Sequence, residues 1–136
     1  MEKDLYGFLH PEMSGEEEVI VSKRFKDKAG KPVPFVIRPL TQEENEVLIK
    51  KNTKTEKNGE RSFAQMAYVA DMIAAAVIFP DLKNAELQKA YGVLGEAKLL
   101  KAMLYSGEYA TLSTEVQRLS GFDVSEEELA EEAKNE

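Results

Sequence analysis

The chain opens with a short apolar cluster, Leu5, Tyr6, Phe8 and Leu9, stopped by Pro11. Residues 1–17 therefore read as an arm, either a docking segment or a disordered lead-in. Val19, Ile20 and Val21 are β-branched and Phe25 follows, which predicts a strand from Val19 to Phe25. Asp27-Lys-Ala-Gly-Lys-Pro32 is a turn cluster, and Val33 to Leu40 predicts a second strand, so the two form a β-hairpin. Pro34 and Pro39 lack amide donors, which confines the second strand to a sheet edge or limits its paired length.

Past Pro39 the apolar spacing becomes helical. Thr41-Gln-Glu-Glu44 fits a capping box, in which the Thr hydroxyl and the Glu carboxylate satisfy free amides at a helix start. That helix runs to about Asn52, with Val47 and Leu48 as its apolar contacts. Asn52 to Arg61 is polar and basic, with Asn58-Gly59 as a turn signal, and predicts a mobile loop. Ser62-Phe-Ala-Gln65 is a second capping-box pattern. Behind it Phe63, Met66, Ala67, Ala70, Ile73, Ala74 and Val77 recur at helical spacing. From Met72 the pattern is apolar all round, which predicts a central core helix ended by Pro80. Three shorter helices follow, Asn84 to Tyr91, Gly95 to Tyr105 and Glu108 to Ser120, closed by Gly92, Ser106-Gly107 and Gly121. Ser125-Glu-Glu-Glu128 repeats the capping pattern ahead of an acidic segment. The fold class is α+β, mostly α: an N-terminal β-hairpin beside a bundle of about five helices. A single domain over 18–122 is expected, with an acidic C-terminal tail over 123–136.

Charge sharpens that division. The net charge of the 136 residues is −7, but the tail alone holds seven acids and one lysine. The rest of the chain is close to neutral, so the acidity belongs to an appendage. The N-terminus has no apolar core of a secretory signal, and the longest apolar run, Met72 to Phe79, is far short of the ~20 residues of a membrane span. A soluble cytoplasmic protein is expected, with no membrane partner.

Candidate chemistry is sparse. There is no cysteine, hence no disulfide, thiolate site or cysteine nucleophile, and His10 is the one histidine. No phosphate loop, dinucleotide fingerprint, zinc-protease or serine-hydrolase motif occurs. No catalytic, metal or cofactor residue is assigned, and an enzyme is not expected. Asp71 is the single charge between Arg61 and Asp81, on the most apolar helix. It is either a buried acid marking a site, or a residue of the helix's wet stripe with Gln65 and Tyr68 or paired with a base. The rarity of unpaired buried acids favours the second reading. The bases Lys23, Arg24, Lys26, Lys28 and Lys31 suggest either phosphate contacts or a charged hairpin protected against edge pairing. Interspersed acids and the low pI favour protection, so nucleic acid is not an expected partner.

The order of several short motifs carries more. Phe35-Val-Ile-Arg-Pro-Leu-Thr-Gln-Glu-Glu44 leads from strand to acidic helix. Phe79-Pro-Asp-Leu82, Glu86-Leu-Gln88 and Tyr91-Gly-Val93 follow the apolar helix. Met103-Leu104, Gly107-Glu-Tyr109 and Ser120-Gly-Phe-Asp123 close the series. Together, over Phe35 to Asp123, these resemble the tail assembly chaperones of PBSX-like, XkdN-type prophages. The resemblance implies a non-enzymatic protein of the bacterial host cytoplasm. It would bind the phage tape measure protein and keep it soluble until tail tube protein polymerises around it. The alternative is a structural tail or neck connector retained in the particle. A homo-oligomer is compatible with either. A binding groove should show exposed apolar side chains on folded helices, and the candidates are Tyr91, Leu94, Met103, Tyr105, Tyr109 and Leu112, of which at least half are expected to pack in the core.

Overall fold

The computed structural model describes residues 3–13 and 15–122. The acidic tail and its Ser125–Glu128 capping pattern lie outside the described residues. Around the core are a three-stranded sheet, a small second hairpin and five helices, with a further one-turn helix α1 (Tyr6–Leu9) in the arm. No α1 residue is buried, and Leu5, Tyr6, Phe8, Leu9 and Met13 are all exposed.

The N-terminal hairpin forms with a different ladder from the one the β-branched run predicts. Strand β1 (Glu17–Val19) pairs antiparallel with β2 (Phe35–Ile37), Val19 opposite Phe35. Pairing lapses after Val19 and returns as a single bridge between Lys26 and Pro32 near the turn. Pro34 and Pro39 do limit β2 to a short paired stretch, but β2 is the central strand, not an edge. Its other neighbour is β5 (Val77–Phe79), and Arg38 N donates to Ala76 O at 2.9 Å where that strand begins.

Strand β5 corrects the predicted end of the core helix. Helix α3 (Gln65–Ala76) stops three residues short of Phe79, the end that Pro80 predicts, because Val77 turns to extended backbone. Val77 and Ile78 are β-branched, and the unpaired edge of β2 offers them hydrogen bonds that a last helical turn before proline lacks. The start of α3 is also shifted. Ser62 belongs to strand β4 (Arg61–Phe63), where its hydroxyl donates to Glu56, and the residue preceding α3 is Ala64, which makes no side-chain cap. Strand β4 pairs with β3 (Thr53–Thr55), so the predicted mobile loop is a hairpin turning at Asn58-Gly59. Gly59 has φ 85°, a left-handed backbone that glycine adopts without strain.

The cap at Thr41 is as predicted. Glu44 N donates to Thr41 Oγ1 at 3.2 Å and Thr41 N to Glu44 Oε1 at 3.1 Å, opening helix α2 (Gln42–Lys51). Leu48 packs toward the core, whereas Val47 is exposed. Helix α4 (Ala85–Ala90) is capped by Asn84, and α5 (Glu96–Met103) follows Gly95. Helix α6 (Ser106–Leu119) ends in a Schellman pattern, with Phe122 N donating to Gln117 O and Gly121 N to Arg118 O.

The core is where α3 meets α5, α6 and the sheet. Ile37, Ile73, Leu99, Leu100, Leu112 and Val116 are its fully buried large side chains. Asp71, on the flank of α3, accepts from Asn52 Nδ2 at 3.0 Å and pairs with Lys51 Nζ at 3.2 Å, so it is a partnered acid.

Candidate functional site

The first turn of α3 leaves the core behind. Met66 is 82% exposed and Ala67 is exposed, although both sit in the apolar stripe predicted to be interior. Met66 and Val69 form one wall of an open apolar cleft of about 410 Å³; Leu104 and Tyr109 form the other, with Gln65, Lys101 and Ser106 on the polar rim. Leu104, between α5 and α6, has extended backbone (φ −101°, ψ 141°), which redirects the chain and sets the two helices around the cleft.

An ion pair from the N-terminal hairpin fixes the α6 side of that corner. Arg24 donates to Glu108 through Nε at 2.9 Å and Nη2 at 2.6 Å, and Nη2 also donates to Met103 O at 3.0 Å. Glu108 Oε1 in turn accepts from Tyr105 N at 2.7 Å, satisfying a free amide at the start of α6. The Arg24 hydrogen bonds hold the Glu108 carboxyl down at about 2, with the Tyr105 amide assisting and partial desolvation opposing. The Tyr105 ring lies 3.9 Å from the Arg24 guanidinium carbon, a cation–π contact. At the other end of α6, Arg118 pairs with Glu17 of β1 at 2.6 Å, so the hairpin is tied to both ends of this helix. Burial pushes the Tyr109 phenol up, and the charge of Asp71 adds to the effect, so it stays neutral at physiological pH.

The residues expected to line a groove do not share one surface. Tyr109 lines the apolar cleft and is half-buried. Tyr105 is 67% exposed but stacks on Arg24. Tyr91 and Met103 line a separate cavity of about 180 Å³ against Phe25, Phe35 and Phe79 of the sheet region. Leu94, 84% exposed, stands in a cleft between α4 and α5 beside Lys83, Lys89 and Lys98. Met103 and Leu112 are interior, at 5% and 0% exposure, which corrects their placement on a groove. The reason is spacing: Met103 shares a helical face with Leu99 and Leu100, and Leu112 shares one with Val116.

Met66, Val69 and Leu104 were missed as cleft residues. The signal available was the amphipathic register itself, since Met66 lies at the uncapped end of α3, ahead of the run that the bundle can surround. Among the described residues no group of three or more His, Asp or Glu side chains is placed to hold a metal ion. No helix among them is long and apolar enough to cross a membrane.

The cleft of Met66, Val69, Leu104 and Tyr109 is thus an open apolar surface on a small helical body. Residues 5–134 match the family described as phage XkdN-like tail assembly chaperone protein. The chain belongs to that family. Among its relatives is the phage-like element PBSX protein XkdN of Bacillus subtilis (strain 168), 34% identical over 126 residues, covering 88% of this chain and 84% of the relative. The uncharacterized protein YqbN of the same strain is 35% identical over the same shares. A crystal structure of the protein YqbN matches the fold with a TM-score of 0.73 at 27% identity, covering 90% of this chain and 100% of that one. The resemblance seen in the ordered motifs from Phe35 to Asp123 is therefore a family relationship, and the role of that family, tail assembly, is non-catalytic.

Proposed function

We propose that this chaperone binds apolar helical segments of the phage tape measure protein in the host cytoplasm and keeps them soluble until tail tube protein replaces it. The observation that carries this reading is the cleft of Met66, Val69, Leu104 and Tyr109, with Met66 82% exposed on a well-packed helix. A rod-like protein built to be wrapped by a tube exposes apolar helical stripes before it is wrapped, and such a stripe seats in a groove through residues one or two turns apart. Methionine suits this task because its unbranched thioether adapts to different partners. The open cleft offers moderate contact area, as displacement by tube subunits requires.

The test is co-expression with the tape measure protein of the same prophage. Its soluble fraction should depend on this chain and should fall when Met66→Asp replaces the wild type, while the far-UV circular dichroism and melting of the variant stay those of the parent. Tape measure protein that remains soluble without this chain overturns the reading. So does stoichiometric recovery of this chain in purified tails, the outcome expected of a retained connector.

A further inference from the structure

The second open surface has a different chemistry. Lys83, Lys89 and Lys98 surround a cleft of about 720 Å³ between α4 and α5, with Val93 and the 84%-exposed Leu94 in its wall. Lys83 reaches Glu96 only at 3.9 Å, and neither Lys89 nor Lys98 enters an ion pair among the described residues. It is a cationic groove with one apolar seat.

We propose that the chain's own acidic segment, residues 124–132, docks across this groove, with Leu129 seated beside Leu94 and the flanking glutamates facing Lys83, Lys89 and Lys98. Three observations carry the assignment. The first is charge: residues 123–136 hold seven acids and one lysine, the complement of the groove. The second is pattern: Leu129 has Glu126, Glu127 and Glu128 before it and Glu131 and Glu132 after it, one large apolar residue among acids. The basic β3–β4 hairpin is a poorer match, because Glu56 and Glu60 lie among its bases.

The third is reach. Leu40 N donates to Ser120 Oγ at 3.1 Å, which places the end of α6 against the segment just past β2. Arg38, two residues before Leu40, lines a cavity of about 420 Å³ together with Lys83 and Glu96. Lys83 also belongs to the groove, so one shared wall leads from the end of α6 to the lysines. The seven residues from Phe122 to Leu129 can extend by about 23–25 Å in the direction of that wall. Neither the assignment nor its test depends on binding of a tape measure protein.

The test uses the full chain, which has no cysteine of its own. A nitroxide on Ala130→Cys should broaden the methyl resonances of Leu94 and Val93 and the amides of Lys89 and Lys98. The broadening should be lost in Lys89→Glu/Lys98→Glu and in 1 M salt, where the screening length is about 3 Å. Leu94→Ser, which keeps the charges, should reduce it several-fold. All three replaced side chains are exposed, so the fold should survive, and an unchanged core methyl spectrum checks this. Broadening centred on Lys54, Lys57 and Arg61 overturns the assignment, as does weak broadening spread over the whole surface. Broadening that appears only between labelled and unlabelled molecules in a mixed sample also overturns it, because the occupant is then a second copy's tail.

Discussion

Helix α3 contains two helices' worth of behaviour in one apolar sequence. In its second half Met72, Ile73, Ala74 and Ala76 are buried, enclosed by α5, α6 and the sheet. In its first turn Gln65, Met66 and Ala67 are exposed, and Met66 stands at the edge of a cleft. Residue type does not separate the halves, since methionine and alanine occur in both. Position does: Ile73 is enclosed in the core cluster with α5 and α6 residues, whereas Met66 faces the open cleft at the α5–α6 junction around Leu104. Apolar surface on the closed half is used to fold, and apolar surface on the open half stays exposed at the cleft.

The strongest attack on this contrast is Ile73→Ala. Ile73 is fully buried, and truncating such a side chain costs about 2–5 kcal/mol through lost transfer energy and a residual cavity. Urea unfolding followed by circular dichroism should show that loss as a lower midpoint with an unchanged slope. A loss below about 1 kcal/mol would mean that the second half of α3 is not the packed centre.

Asp71 sits between the halves and joins α3 to α2 through Lys51 and Asn52. Asp71→Ala takes the carboxylate away from both Lys51 and Asn52 and leaves the partly buried Asn52 amide short of one acceptor. The expected cost is about 1–2 kcal/mol, less than for Ile73 and read by the same titration. If Asp71→Ala is neutral, the boundary between closed and open halves is set by packing alone.

Several features of the fold were legible because a local chemical rule decided them. Thr41 and Glu44 form their capping box and Gly121 ends α6, each requiring only nearby residues. Where a distant strand competed with a local rule, the local rule lost. Val77 to Phe79 continue the helical pattern in sequence but pair with β2, and Ser62 offers a cap but is taken by a ladder opposite Lys54. The candidate site was less legible for the same reason. Exposure of Met66 depends on where the α5–α6 junction falls along α3, and burial of Leu112 on α6 packing against α3, neither of which helical spacing alone can report.

Acid provides a smaller and more local perturbation of the open half. The Glu108 carboxyl is depressed to about 2 by Arg24, so its folded value lies below the ordinary unfolded one. Its contribution is then fully present above the unfolded value of about 4.3 and is lost as pH falls toward the folded value. Lowering pH from about 5 to 2 should therefore release the start of α6 from the hairpin. Amide exchange at Tyr105 to Tyr109 should rise before exchange at Leu112 and Val116 does. Glu44, held at about 2 by Arg38, titrates in the same window, so Glu108→Gln is the control. In that variant the α6 amides should exchange fast even at pH 7. Uniform loss of protection along α6 in the wild type would show that its two ends share one cooperative unit.

The smallest stability effect and the sharpest contrast belong to Met66→Ala. Met66 is as apolar as Met72, yet 82% exposed against 2%, so truncation in the free protein removes little buried surface. Its cost should stay within about 0.5 kcal/mol, the usual range for surface substitutions. Met72→Ala in the same helix should cost several times more. If the cleft is where an apolar partner helix seats, the order reverses in binding. Full burial of a methionine side chain is worth about 1.5–3 kcal/mol, so affinity for the partner should fall by about tenfold or more in Met66→Ala. Titration calorimetry with a tape measure fragment measures this directly. A Met66→Ala variant that unfolds like Met72→Ala would place both halves of α3 in one core. One that binds like the parent would leave the open half without the role its exposure suggests.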